Sequence, residues 1–447
     1  MQSNFMGRLA DYKNHFLELI ELSIPLIIGN LGQILIGATD VFVAARHNIN
    51  TLASVGIANA IIFSIMIIGL GLMSSISIVL SNYRGSRKRT KVFFQTSLIF
   101  SILLACLFCA ICMSSMLLID RLGFEASLVP TIKQYIYICS YSFIGVYVFQ
   151  GLKEFLQAHE IVKFPNLIMV LAVFIHIILD FVLVFGLGPI PSLGAKGLAL
   201  ATFTTRTFMG LTMLIYCIRL VNFSAKFDTT YVKQLLKIGS PIGLTMFLEF
   251  LAFNIITIMV GKTAGILSAT HNIVQIITST TFMIPLAISN AIAIKVGFYN
   301  GAKNFDEIKM YSKVGVGISS IYMFICAVIL LAFPAQLIEI FSKNPEVLKI
   351  GVPIMIVAAI FQVADGFQTS ASGVLKGLKM TKTVSVCVTC GYWLIGLPLG
   401  FLLAYKYHLL LMGFWIGLAV SLTMISILMA TMILLKFKKL KLEYQKN

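Results

Sequence analysis

Four carboxylates that interrupt long apolar stretches are the residues of this sequence best suited to bind a cation or carry a proton. The stretch GQILIGATDVFVAAR, residues 32–46, places Asp40 among apolar neighbours, and Asp180, Glu249 and Asp365 lie in similar surroundings. An ionised carboxylate at the centre of a bilayer costs ~2.5–3.5 kcal/mol on insertion scales, so each should face a cavity or a partner. We therefore predict that these four residues couple the protein to a cation or to protons.

Helical spacing groups other polar residues with these carboxylates. Gln33 lies on the same helix face as Asp40, seven residues away, and His176 lies four residues before Asp180. Gln362 shares a face with Asp365 in the same way. Several polar residues within the apolar stretches are predicted to line or support the substrate cavity, or to hydrogen bond between helices. They are His176, Asn254, His271, Gln275 and Gln362.

Arg206 is the basic residue that falls inside an apolar stretch. It follows Asp180 on the next stretch, so a structural ion pair between the two is the alternative to a proton site at Asp180. No Lys or Arg partner is apparent for Asp40, Glu249 or Asp365. Because Glu249 and Asp365 share one half of the chain and would repel each other, we predict that they form one site for Na⁺ or a proton.

Composition predicts that all these residues lie in membrane helices. The 447 residues are 59% hydrophobic and 11% charged, and the mean hydropathy of +0.96 is outside the range of soluble domains. The apolar stretches have the roughly 20 residues needed to cross a bilayer as a helix. We predict twelve spans, at 16–44, 50–80, 92–119, 132–156, 165–187, 194–218, 233–261, 266–294, 311–335, 350–374, 383–404 and 410–435.

The distribution of Lys and Arg supports this count, because cytoplasmic loops beside membrane helices are enriched in them. With the N-terminus inside, roughly 25 of the 34 basic residues fall on the cytoplasmic side, including the stretches YRGSRKRTK and KFKKLKLEYQK. The pattern predicts a multi-pass protein of the inner (plasma) membrane with both termini in the cytoplasm. Since topology explains the net charge of +17, we expect no nucleic-acid partner.

The chain contains an internal repeat. A shift of 216 residues aligns Pro25 with Pro241, and YRG at 83–85 with YNG at 299–301, without a gap. A shift of 219 residues continues the match. Since each half has an even number of spans, both halves enter the membrane from the same side, which predicts parallel repeats.

The repeat defines the predicted domains. They are an N-terminal six-helix bundle at 1–220, a cytoplasmic linker at 221–234, and a C-terminal six-helix bundle with a basic tail at 235–447. Two similar bundles around a central cavity form an architecture suited to alternating access. At the 216-residue shift Asp40 aligns with Ile256, so the halves share a scaffold and differ in their charged residues.

Taken in order, four of these stretches resemble the multidrug and toxic compound extrusion (MATE) family. SIPLIIGNLGQILIGATDVFVAA resembles its first helix, GSPIGLTMFLEFLAF its seventh, ATHNIVQ its eighth and AIFQVADGFQTSASGVLKGLK its tenth. The resemblance covers essentially all twelve spans. It implies that Asp40 is the first-helix aspartate linked to protonation and drug release, and that Pro25 is the proline of that helix.

The resemblance implies two different coupling ions. Glu249 and Asp365 match the acidic pair associated with cation binding in the NorM-type branch. Asp180 resembles the proton-coupled DinF-type branch, and His176 stands where both branches tend to carry an asparagine. Phe361 stands where some NorM-type members carry a tyrosine, so the cation site would lack one hydroxyl. The coupling ion expected from the resemblance is therefore Na⁺ or H⁺.

We expect a secondary active exporter that exchanges organic, often cationic, drugs for Na⁺ or H⁺ by alternating access. We expect no cofactor, and a monomer whose partners are these small molecules and the lipid bilayer. A lipid or precursor flippase of similar architecture is the alternative, which a cavity lined by Arg and Lys would favour. An intramembrane enzyme would need a converging nucleophile or metal-ligand cluster, and the sequence contains neither the motifs of such an enzyme nor a phosphate-binding loop.

Overall fold

The computed structural model describes residues 2–187, 189–221 and 227–445, and the side chains among them from residue 11 to 443. These residues are almost entirely helical, and the β-structure in them is an isolated bridge between Leu187 and Ile190. The predicted all-α membrane fold is confirmed.

Twelve helices in the described part of the chain are long and apolar enough to cross a membrane. We call them the first to the twelfth span. They are Asp11–His47, Ile49–Gly85, Thr90–Ile119, Val129–Gln157, Lys163–Phe185, Ala195–Leu220, Thr229–Gly261, Gly265–Gly301, Phe305–Ala332, Pro345–Gly377, Thr381–Lys406 and Leu410–Glu443. Each predicted span coincides with one of these helices, and the ends differ by a few residues. The chain is thus a multi-pass membrane protein, as predicted.

Several spans depart from a regular α-helix. The second span is broken at Ser74 into Ile49–Met73 and Ser75–Gly85. The eleventh span contains two π-helical turns, Gly391–Gly396 and Leu402–Lys406. Such turns are often found at functional sites. A short helix, Pro334–Glu339, follows the ninth span.

Packing divides the described residues into two compact units. One unit combines the chain up to Ile27, Ser81–Arg87 and the chain from Leu244 onward; the other combines Ile28–Leu80 and Lys88–Gly243. The first span therefore contributes to both units, and its part that carries Asp40 belongs to the second. The predicted domain boundaries follow the sequence repeat and remain a prediction. Residues 222–226 of the predicted linker and 446–447 of the predicted tail lie outside the described residues.

Glycines in the second unit allow helices to approach closely. A Cβ atom on Gly32 of the first span would lie 2.8 Å from Cγ of Met169 on the fifth. A Cβ on Gly210 of the sixth span would lie 2.7 Å from the backbone oxygen of Gly145 on the fourth. Small residues at helix contacts are typical of membrane proteins, since they let backbones pack against each other. These contacts bring the first span against the fifth and the fourth against the sixth.

Candidate functional site

A histidine and two carboxylates from two helices meet in the second unit. Nε2 of His176 lies 3.2 Å from Oδ1 of Asp40 and 3.3 Å from Oδ2 of Asp180. The four-residue spacing on the fifth span places His176 and Asp180 on one helix face, and that face packs against Asp40 of the first span. All three residues are buried, with Asp40 5% exposed and the other two fully enclosed. We call them the buried triad.

The second ring nitrogen of His176 orients the imidazole. Its Nδ1 lies 3.2 Å from Oγ1 of Thr205 on the sixth span. Thr205 is thus hydrogen bonded on one side of the ring while Nε2 faces the carboxylates on the other. Nε2 of His176 therefore meets one oxygen of each carboxylate, and the orientation of the ring is set by a hydrogen bond outside the triad.

Asp180 has unsatisfied hydrogen-bonding capacity. Among the described residues, neither of its carboxylate oxygens has a hydrogen-bond partner, although both are buried. Its contact with His176 is close enough for an ion pair. A buried carboxylate in this state is costly unless it is protonated or paired with a cation. One ligand atom from each triad residue lies within 4.8 Å of the others, so the triad is compact enough to share one cation.

A cavity of about 270 Å³ in the same unit adjoins the buried triad. Its walls combine two triad residues with apolar methionine and phenylalanine side chains, and with one guanidinium group. The lining residues are Gln33, Ile36, Gly37, Asp40, Val41, Asn59, Ile62, Phe63, Met66, Val146, Met169, His176, Thr202, Thr205, Arg206 and Met209. Of the predicted residues, the structure thus brings Gln33, Asp40, His176 and Arg206 together.

In the described residues, Asp180 and Arg206 do not form the ion pair that was the predicted alternative. Nη1 of Arg206 donates a hydrogen bond to Oγ of Ser142 on the fourth span, at 2.9 Å. Asp180 instead faces His176. The reason is helix packing: the close contact of the fourth and sixth spans at Gly145 holds the arginine beside Ser142. The histidine, four residues before Asp180 on its own helix, takes the place of the predicted partner.

Glu249 and Asp365 belong to the other unit. The hydroxyl of Tyr392 donates to Oε1 of Glu249 at 3.3 Å, and the Thr369 hydroxyl lies 3.5 Å from Oδ1 of Asp365. The two carboxylates interact electrostatically with each other. The sequence showed no basic partner for Glu249, but Lys376 of the tenth span also interacts with it electrostatically. Their assignment as one cation site remains a prediction.

Sequence reasoning missed the contribution of the eleventh span. Tyr392 and Trp393 lie in the π-turn Gly391–Gly396, and Nε1 of Trp393 donates to the backbone oxygen of Leu248 at 3.2 Å. Two consecutive side chains of this turn therefore contact two consecutive residues of the seventh span. The stretch GYWLIG has the signal that could have indicated this: a tyrosine and a tryptophan between two glycines within an apolar stretch.

The other predicted residues of this unit have mainly packing and hydrogen-bonding contacts. Nε2 of His271 lies 3.1 Å from Oγ1 of Thr257, which joins the eighth and seventh spans. The rings of His271 and Phe361 pack against Trp415, with centroids 6.0 and 5.6 Å apart. Asn254 donates within its own helix, to the backbone oxygen of Phe250 at 2.8 Å.

Three predicted residues remain. Gln362 donates to Oγ1 of Thr281 on the eighth span. The side chain of Gln275 is half-buried. Pro25 lies inside the helix that forms the first span.

The model of the MatE family matches this chain twice, at residues 25–182 and 241–402. The chain belongs to the MatE family. The predicted resemblance is confirmed, and the two MatE segments begin at Pro25 and Pro241, the prolines aligned by the sequence repeat.

Relatives with this MatE sequence pattern span almost the whole chain. The chain is 26% identical over 435 residues to the probable multidrug resistance protein NorM of Acinetobacter baylyi, covering 95% of this chain and 97% of that protein. It is also 26% identical to the multidrug resistance protein MdtK of Yersinia enterocolitica, covering 92% and 94%.

Solved structures show the same fold. The eukaryotic MATE transporter AtDTX14 superposes with a TM-score of 0.85 at 18% identity, covering 97% of this chain and 99% of that one. A MOP superfamily transporter from Pyrococcus furiosus superposes with a TM-score of 0.87 at 18% identity, covering 96% and 97%. The twelve-helix architecture of this MatE protein is therefore that of known transporters.

Proposed function

We propose that this protein exports organic compounds in exchange for protons bound at the buried triad. Its family and the multidrug resistance proteins to which it is similar identify it as a multidrug efflux transporter. The predicted function class, a transporter and not an enzyme, is thus confirmed. Transporters of this family are ion-coupled. The identity of the ion and its site in this chain are our proposal.

One observation carries this proposal: Asp40 and His176 line the same cavity as a set of apolar side chains. Met66, Met169 and Met209 can repack around ligands of different shapes, and Phe63 offers an aromatic face to a cation. An organic cation in this cavity and a proton on the triad would both neutralise the same carboxylates. Their competition provides the exchange, provided that each ligand favours a different access state.

The composition of the triad favours a proton over Na⁺. Sodium is a hard cation that prefers several oxygen ligands. Here the Nε2 atom of His176 lies between the two carboxylates, within 3.3 Å of both. A proton held on this nitrogen or on Asp180 neutralises the carboxylates without needing further ligands. Imidazole is also the side chain whose ordinary titration range lies closest to neutral pH.

We propose Glu249 and Asp365 as a second cation site, for Na⁺ or a proton. The hydroxyl groups of Tyr392 and Thr369 add oxygen atoms beside the two carboxylates. Tyr392 therefore provides beside Glu249 the tyrosine hydroxyl that Phe361 cannot provide. Oxygen ligands of this kind suit Na⁺ better than the imidazole of the buried triad does.

We further propose that the protein acts as a monomer in the inner (plasma) membrane, with both termini in the cytoplasm. This orientation rests on the basic loops, which the positive-inside rule assigns to the cytoplasmic side. Drugs would then leave the cell as protons enter.

Dye transport by purified protein in proteoliposomes tests the proposal. The vesicles contain a fluorescent quaternary quinolinium dye, and a proton gradient or a Na⁺ gradient of equal size is imposed separately. We expect the proton gradient alone to drive dye movement against its concentration gradient. Transport driven by Na⁺ and unaffected by the proton gradient would assign coupling to Glu249 and Asp365. Lack of transport under either gradient would contradict the exporter function.

The flippase alternative is less consistent with the cavity. A lipid or lipid-linked precursor carries phosphate groups, so a flippase cavity should be lined by several basic residues. Among the described lining residues, Arg206 is the basic group, and it shares the cavity with Asp40 and His176.

A further inference from the structure

Arg206 is a cationic group in a cavity expected to bind cations. It lines the same cavity as Asp40 and His176, and its guanidinium interacts electrostatically with His176. A fixed positive charge at this point repels a simple organic cation. The proposed function therefore leaves Arg206 without a role.

The guanidinium retains most of its hydrogen-bonding capacity. Its Nη1 donates to Ser142, and no other hydrogen bond or ion pair of Arg206 is found in the part of the chain that the structure describes. A guanidinium has five N–H donors in a planar arrangement that matches the oxygens of an oxyanion. Arg206 is half-buried, so the donors that Ser142 does not use can reach a ligand in the cavity.

A charged side chain within a membrane span normally pairs with a group of opposite charge. Asp180 is not the ion-pair partner of Arg206, because it faces His176 instead. Asp40 also contacts His176, at 3.2 Å. Both carboxylates of the buried triad thus contact His176, and we infer that the partner of Arg206 comes from elsewhere. The cavity is where a soluble partner can reach it.

We propose that Arg206 binds an anionic group of the substrate, so that this transporter exports organic zwitterions that carry both a cationic group and an oxyanion. The cationic end binds near Asp40, the apolar middle packs on the methionine and phenylalanine side chains, and a carboxylate, sulfonate or phosphate binds Arg206. This inference rests on the proposed export function and specifies its substrate class. Binding of both ends satisfies both charges of the cavity, which a monovalent cation does not.

A purely structural role for Arg206 makes a different prediction. If the hydrogen bond to Ser142 only holds the fourth and sixth spans together, loss of the guanidinium should weaken transport of all substrates equally. Substrate recognition requires instead that the loss depends on the anionic group. The ratio of two transport efficiencies, measured on the same protein, separates the two roles.

Two matched dyes provide this ratio. A methoxyquinolinium dye with an N-ethyl group is a permanent cation, and its N-sulfopropyl analogue is a permanent zwitterion with the same fluorophore. Both are measured in proteoliposomes in chloride-free buffer under the gradient that drives transport. The variants are Arg206→Gln, Arg206→Lys and, as a matched control, Arg219→Gln, which removes an exposed arginine at the end of the same span.

We expect wild type to transport both dyes. In Arg206→Gln the kcat/KM for the zwitterion should fall about tenfold or more relative to that for the cation, the effect of losing charge-assisted hydrogen bonds. Arg206→Lys should restore part of the ratio, and Arg219→Gln should leave it unchanged. An equal loss for both dyes in Arg206→Gln, or a wild type that transports the cation and rejects the zwitterion, would overturn the inference while leaving the export function intact. Transport of neither dye by wild type would overturn both.

Discussion

The imidazole of His176 and the carboxylate of Asp40 join the fifth and first spans, with Nε2 3.2 Å from Oδ1. This contact links a group that can hold a proton to the cavity that receives the substrate. Both residues line that cavity, and both are buried. Coupling of the two ligands therefore requires no long-range pathway through the protein.

Asp40→Asn should insert and fold but lose coupled efflux. Asparagine has nearly the shape of aspartate and removes the titratable charge, so packing is preserved while proton exchange with the substrate is lost. Proteoliposome transport and thermal melting of the detergent-purified protein measure the two effects. Asp120→Asn is the control, since Asp120 follows the end of the third span and pairs with Lys133 at the protein surface. Wild-type transport by a well-expressed Asp40→Asn variant would refute the role of Asp40.

Double-mutant cycles should show that Asp180 couples to His176 and not to Arg206. The cycle of Asp180→Asn with His176→Asn should give a coupling of about 1 kcal/mol or more in thermal stability, as expected for contacting residues. The cycle with Arg206→Gln should give a value near zero, because Arg206 contacts Ser142 instead. Strong coupling between Asp180 and Arg206 would support a structural ion pair between them and would contradict a role of Asp180 in the proton site.

Glu249→Gln and Asp365→Asn should each reduce efflux severely, and the double variant should be little worse than either. Residues that act as one site are non-additive, because the loss of one ligand already disables the site. If this site binds Na⁺, wild-type protein should be stabilised by Na⁺ in thermal melting, and both single variants should lose that stabilisation. Unchanged Na⁺ binding and transport in either variant would contradict a shared site of Glu249 and Asp365. The buried triad would then be the coupling site.

Tyr392→Phe should impair cation coupling, whereas Trp393→Phe should affect mainly stability. The first variant keeps the ring and removes the hydroxyl that donates to Glu249. The second removes a neighbouring donor to a backbone oxygen, which costs about 1 kcal/mol, and leaves the carboxylate contact intact. We expect the cation concentration for half-maximal transport to rise several-fold in Tyr392→Phe alone. Equal shifts in both variants would assign Tyr392 a purely structural role.

The sequence by itself determined the membrane fold and the family. Apolar runs of the length of a bilayer have few alternatives to a helix, because each backbone polar group must be hydrogen bonded within its own segment. The sequence therefore predicts twelve spans, and each spanning helix of the structure lies where an apolar stretch predicts it. The acidic residues within the spans were also recognisable, since a charge in an apolar run stands out in a single sequence.

Only the tertiary structure decided which polar residues meet. Asp40 and His176 are 136 positions apart, and the packing of the first span against the fifth brings them together. The same packing gave Asp180 a histidine as its partner where sequence order suggested Arg206. Helical periodicity specifies which residues share a face, but it does not specify which helix that face contacts. Contacts between helices depend on the shapes of both surfaces, including the glycines that let them approach, and these appear only when the whole chain is folded.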